Sequence, residues 1–188
     1  MQTRMRIISL FAVALLILIA VTGCGGTTEE RTLVIGRKDF KDPDAAMEYA
    51  GFSMRQPKDA LGGMFIFAVA TDNKIENSIA LFYSNGLTFS ATRRPKLGSF
   101  EDRIESIKET TIKSGVKPEH LSSLNMPYLI DVAGHQGMNW PHPKRKDSKE
   151  PETASLYWYD SGIEYQLSSS DKGFNIDKAL QVANSAYR

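Results

Sequence analysis

The sequence predicts an α+β domain: a single curved antiparallel sheet of about five to seven strands with two main helices packed on one face. Three observations predict it. Runs rich in β-formers come in pairs around short Gly-containing turns, at Asn85-Gly86, Gly134-His135 and Ser161-Gly162. Two stretches, opened by Ser99 and by Asn175, carry apolar residues at helical spacing. Strand–helix–strand units are too few for a parallel sheet.

The elements follow in order. Asp42-Pro43-Asp44 opens a short helix, with aspartate at the cap and proline at the first helical position, and Gly51 ends it after Ala50. Phe52-Ser53-Met54 then runs extended to about Pro57. Met64 to Ala70 is seven apolar residues between Gly62-Gly63 and Thr71-Asp72-Asn73, which fits a strand buried on both faces. Ser78–Ser84 and Leu87–Thr92 form a hairpin. A two-residue Asn85-Gly86 loop pairs Phe82 with Phe89 and sets Leu87, Phe89 and Ala91 on one face.

Ser99 caps a helix with acids in its first turn and Phe100, Ile104 and Ile107 along one stripe, ending near Gly115. Pro127–Val132 and Gln136–Trp140 form the next strand pair, and Pro141 to Glu152 is a polar loop. In SLYWYDSGIEYQLS, a three-residue loop would set Trp158 against Glu164 and Leu156 against Gln166. An even-numbered loop pairs Trp158 with Tyr165 and Leu156 with Leu167, keeping one face apolar, and is therefore preferred. Asn175 caps a closing helix whose stripe is Ile176, Ala179, Leu180, Ala183 and Tyr187.

The start of the chain has a different character. Arg4 and Arg6 precede fifteen residues, Ile7 to Val21, that are apolar except for Ser9. That is the length of a secretory h-region and short of the roughly 20 residues of a membrane span. The run ends in Val21-Thr22-Gly23-Cys24, which resembles a bacterial lipobox. The resemblance implies a cleaved signal over residues 1–23 and a diacylglyceryl group on the Cys24 thiol, with palmitate-type acylation of the new terminus. Residues 24–33 then read as a flexible tether and 34–188 as one extracytoplasmic domain. Two acyl chains anchor stably where one is marginal, each buried methylene contributing about 0.8 kcal/mol. The competing reading is an uncleaved helix, since Ile7 to Thr28 contains no charge; it leaves the cysteine unexplained.

The C-terminal third carries a second resemblance. Gly134 and Gly137, Trp158, Gly162, Tyr165-x-Leu167 and the helix ending Ala183-x-Ser185 are similar to an uncharacterised bacterial domain of unknown function. Gly51 to Pro57 resembles that family's opening. The resemblance implies a module outside the membrane, of the kind found in lipoproteins and in proteins that look like membrane-bound anti-sigma factors. This sequence departs from the latter by having no cytoplasmic helical domain to hold a sigma factor.

Composition narrows the function. Removing residues 1–23 takes away two arginines and no acid, so the formal charge moves from +1 to −1, which argues against a nucleic-acid binder. One cysteine forbids an internal disulfide, a zinc ribbon or CxxC redox chemistry. No HExxH, GxSxG, phosphate loop or EF-hand spacing occurs. Ser-x-x-Lys occurs at Ser114/Lys117 and Ser169/Lys172, beside helix-ending or turn glycines and without companion motifs. His120, His135 and His142 are spaced by fifteen and seven, which is no local metal-ligand pattern.

Two sets of residues remain as candidates for contact. Lys144, Arg145, Lys146 and Lys149, with Arg93, Arg94 and Lys96, form basic clusters suited to anionic headgroups or wall polymers. Tyr157 and Tyr159 face away from Trp158 and offer a binding face. The sequence therefore reads as a non-catalytic, lipid-anchored binding or envelope-sensing module without cofactor, held at the membrane through Cys24. Its candidate partner is an envelope protein or an anionic polymer. A second reading is a carrier holding an acyl chain among Phe65, Phe67, Phe82, Phe89 and Trp158; a third is a hydrolase with a dispersed site.

Overall fold

The computed structural model describes residues 36–72, 76–141, 153–171 and 173–188. Cys24, His142, Lys144, Arg145, Lys146, Lys149 and Lys172 lie outside the described residues. Among the described residues eight strands form one open antiparallel sheet: β1 (Gly36–Phe40), β2 (Phe65–Asp72), β3 (Ser78–Tyr83), β4 (Leu87–Arg93), β5 (Tyr128–Val132), β6 (His135–Pro141), β7 (Thr153–Asp160) and β8 (Ile163–Ser169). Their order across the sheet is β1-β2-β3-β4-β8-β7-β6-β5. Among the described residues three α-helices accompany them: α1 (Pro43–Ala50), α2 (Phe100–Lys113) and α3 (Ile176–Ser185). A 3-10 helix spans Pro118–Ser123.

The expected caps are formed. Asp42 accepts from the Asp44 amide, Ser99 from Asp102 and Asn175 from Lys178, which satisfies amide groups that open each helix. Alternation along the strands then decides the layers. Ala68, Ala70, Ile79, Leu81, Tyr83, Leu87, Phe89, Ala91, Leu156, Trp158, Tyr165 and Leu167 all point to one side, the inner face. There α1 packs on β1–β3 through Ala46 and Ala50, and α3 packs on β5, β7 and β8 through Ala179, Val182 and Ala183. Val34–Arg188 is one compact unit that contains this whole core, so the span carries its own hydrophobic drive to fold.

The helices are not on one face. α2 lies on the opposite, outer face, where Phe100 and Ile104 close over Met138 with Leu97, Tyr157 and Tyr159 around them. The sheet also exceeds the expected five to seven strands, because Gly36–Phe40 adds an edge strand. Its sequence, Gly-Arg-Lys-Asp-Phe, has no apolar alternation, and charge on an edge is how sheets discourage further pairing.

The β3–β4 hairpin differs from expectation by one residue. Leu81 pairs with Phe89 and Phe82 with Thr88, so the loop is Ser84-Asn85-Gly86, three residues long. The two-residue loop would have turned Ala80 and Phe82 inward; the observed one buries Ile79, Leu81 and Tyr83. Burial overrode the turn dipeptide. The β7–β8 hairpin has the expected even register, with Trp158 opposite Tyr165 and Leu156 opposite Leu167. β2 is buried on both faces only over Ala68–Ala70; Ile66 sits at a bulge and is exposed.

Candidate functional site at the β7–β8 hairpin tip

One end of the sheet collects most of the charged side chains that are held in place. Its position follows from two hairpins that turn there on two-residue loops, Ala133-Gly134 and Ser161-Gly162, all four residues having positive φ. Because side chains alternate, the β7–β8 tip sends Asp160 to the inner face and Glu164 to the outer one. Both carboxylates are 8% exposed, so each needs ionic partners.

On the inner side, Asp160 accepts from Arg55 Nε at 3.1 Å and from Ser161 Oγ at 2.6 Å, with His135 Nε2 at 4.0 Å. Burial pushes the Asp160 pKa up, but the bonds from Ser161 and Arg55 and the charge of His135 outweigh it and hold it below the usual carboxylate value. Asp160 in turn raises the Arg55 pKa. The Arg55 guanidinium stacks on Tyr187 at 4.5 Å, and the His135 ring packs against the same tyrosine at 5.1 Å. Tyr187 OH accepts from Trp158 Nε1 at 2.9 Å. Burial pushes the pKa values of Tyr187 and Tyr165 up, so their neutral forms belong to the fold.

Trp158 is the centre of this side. It stacks on Tyr165 at 5.2 Å and meets Phe89 edge-on at 5.7 Å. Gly137 lies opposite it on β6, and a Cβ there would come within 2.5 Å of the Tyr157 carbonyl oxygen. The glycine is thus required by close approach of β6 to β7 beneath the indole.

On the outer side, Glu164 accepts from Arg103 Nη1 at 2.6 Å and pairs with Arg94 Nε at 2.9 Å; Arg94 Nη2 also reaches Glu76 at 2.8 Å. Arg103 comes from α2 and stacks on the Tyr157 ring at 4.8 Å. Tyr157 OH accepts from Gln166 Nε2 at 3.1 Å, and Tyr159 OH donates to the Arg94 carbonyl at 2.8 Å.

The candidate residues therefore separate. Arg93 and Lys96 are exposed at this end of the sheet, and no ion pair is formed by Arg93 among the described residues. Arg94 is a clamp between two carboxylates rather than a free contact. Tyr157 and Tyr159 are half-buried beside α2, so they do not offer an open face. Phe89 and Trp158 are buried on the inner face, whereas Phe67 and Phe82 stack at 4.6 Å on the outer one; the five aromatics expected around an acyl chain do not line one cavity. Ser114 caps the end of α2, and His120 lies in the 3-10 helix. Among the described residues no cluster of three metal-ligating side chains occurs.

Asp160, Glu164, Arg55, Arg103 and Tyr187 were not singled out from sequence as interacting residues. The signal was present for Asp160: the even register already places it on the tryptophan face, where a charge must have a partner. Two shallow grooves border the tip. One, lined by Leu97, Gly98, Phe100, Gln136, His135 and Tyr159, has a volume of about 310 Å³; the other, beside Phe52, Arg93, Pro95 and Ile163, is about 540 Å³. The chain matches no protein-family model, no curated protein and no solved structure.

Proposed function

We propose that the chain is a lipid-anchored extracytoplasmic module with a non-catalytic binding or envelope-sensing role. The observation that carries this reading is Val21-Thr22-Gly23-Cys24 at the end of a fifteen-residue apolar run behind Arg4 and Arg6. The geometry of the hairpin tip supports it from the other side. Asp160 and Glu164 are each committed to guanidinium groups, which suits clamps that fix the sheet end rather than groups that exchange protons with a substrate. No helix among the described residues is long and apolar enough to cross a membrane.

The test is direct. Wild-type protein expressed with radiolabelled fatty acid takes up label, and Cys24→Ser abolishes it and leaves an uncleaved precursor. Wild type without label would sink the anchor.

A further inference from the structure

The larger groove at the hairpin tip lies between the end of α1, the end of β4 and the β7–β8 turn, lined by Gly51, Phe52, Arg93, Pro95, Gly162 and Ile163. Its walls are tied together. Phe52 and Ile163 both pack against the inner core, and the Arg94 amide donates to the Gly162 carbonyl at 2.8 Å, fixing β4 to the turn. The groove is thus formed in advance of any occupant. Its walls mix apolar Phe52, Pro95 and Ile163 with polar Ser161 and end at an exposed cation. Neighbouring Arg55, Arg94 and Arg103 are all taken by carboxylates, but Arg93 forms no ion pair among the described residues, and Lys96 is exposed three residues on. The same end of the sheet receives the chain from the N-terminal side, because β1 begins there with Gly36 opposite Asp72. Eleven residues lie between Cys24 and Gly36, and these twelve steps of chain reach at most about 43 Å when fully extended.

We infer that this groove seats the headgroup of an anionic phospholipid in the bilayer that holds the anchor, Arg93 pairing with the phosphodiester and Phe52, Pro95 and Ile163 covering its glycerol methylenes. The inference rests on the anchored reading above, since the tether is what brings this end of the sheet to the bilayer. A guanidinium matches a phosphate by two parallel hydrogen bonds, and Phe52, Pro95 and Ile163 offer a lipid's methylenes contacts that a fully hydrated polyanion would not use.

The experiment uses residues 34–188, which contain the whole core and lack Cys24, so loss of the anchor and loss of the groove show in separate measurements. Sedimentation with phosphatidylglycerol vesicles is compared with phosphatidylcholine vesicles, at low and raised salt. Binding is expected to be selective for phosphatidylglycerol and to weaken with salt. Arg93→Gln lowers the partition coefficient about fivefold with an unchanged melting temperature, whereas Lys108→Gln, the same charge lost on α2, leaves it unchanged. Equal binding to both vesicles, or equal effects of the two substitutions, would overturn the groove. Displacement by glycerol phosphate at matching phosphate concentration would overturn the bilayer as its occupant.

Discussion

The two faces of the sheet are built from alternate residues of the same strands, yet they are stabilised by different physics. The inner face is continuous and apolar, covered by α1 and α3, and its large side chains Trp158, Tyr165, Phe89 and Leu167 are at most 2% exposed. The outer face carries Thr88, Ser90, Thr92, Gln166 and Ser168 at its centre and one small cluster under α2. The β7–β8 tip makes the contrast sharpest. Asp160 meets Arg55, itself 50% exposed, with a serine and a histidine beside the inner aromatics, while Glu164 is held only by charge, between two arginines that are 40–44% exposed. Burial drives the first face together. Paired charges and hydroxyls finish the second, and charge pairs near water contribute little each.

The largest effect should come from the inner face. Trp158→Ala removes a filled volume, two aromatic contacts and the bond to Tyr187, and should cost about 3–5 kcal/mol, a large part of an ordinary domain's stability of about 5–15 kcal/mol. Urea midpoints of residues 34–188 measure it; a midpoint equal to wild type would remove Trp158 from the centre of the core.

The two carboxylates come next. Glu164→Gln strands two guanidinium groups beside a neutral amide, and their half-exposure keeps the cost to about 1–3 kcal/mol at neutral pH. Asp160 adds a pH signature. Its folded pKa lies below the usual carboxylate value, so its contribution is present above that value and is lost as the pH falls through the folded pKa. Melting curves of Asp160→Asn should therefore converge on wild type as the solution is acidified below the usual carboxylate range and through the folded pKa. A constant gap between the two curves across that window would show that the ionised Asp160 is not what the fold uses.

Tyr157→Phe should do least. It removes the hydroxyl that accepts from Gln166 and keeps the ring under Arg103, for about 0.5–1.5 kcal/mol. Should it cost as much as Trp158→Ala, the outer face would share the core's role and the contrast between the faces would fail.

The sequence was most legible where one signal had no rival. Asp42, Ser99 and Asn175 announced three helix starts, because a cap needs only local residues. The even register of β7–β8 was legible because Trp158, Leu156, Tyr165 and Leu167 all demand one side. At β3–β4 two signals competed: Asn85-Gly86 named a two-residue loop, but the alternation of Ile79, Leu81 and Tyr83 required three. The side of α2 was illegible for a different reason. Its apolar stripe of Phe100 and Ile104 fits either face, and only the sheet order, with Met138 outward on β6, decides. Charge pairs such as Arg55–Asp160 join residues 105 apart, which no local pattern encodes.

That separation has a consequence for the order of events in a growing chain. β4 waits for β8, Leu87 opposite Ser169; the Arg55 amide waits for Tyr165, 110 residues later; Asp59 waits for Ser185, 126 later. Contacts so distant form slowly, since the intervening loop must close first. A chain emerging from its N-terminus can build α1 and the β2–β3–β4 meander but cannot shut the inner face until α3 has followed. Until then the meander keeps one apolar face uncovered, and the core is completed only by the last helix of the chain.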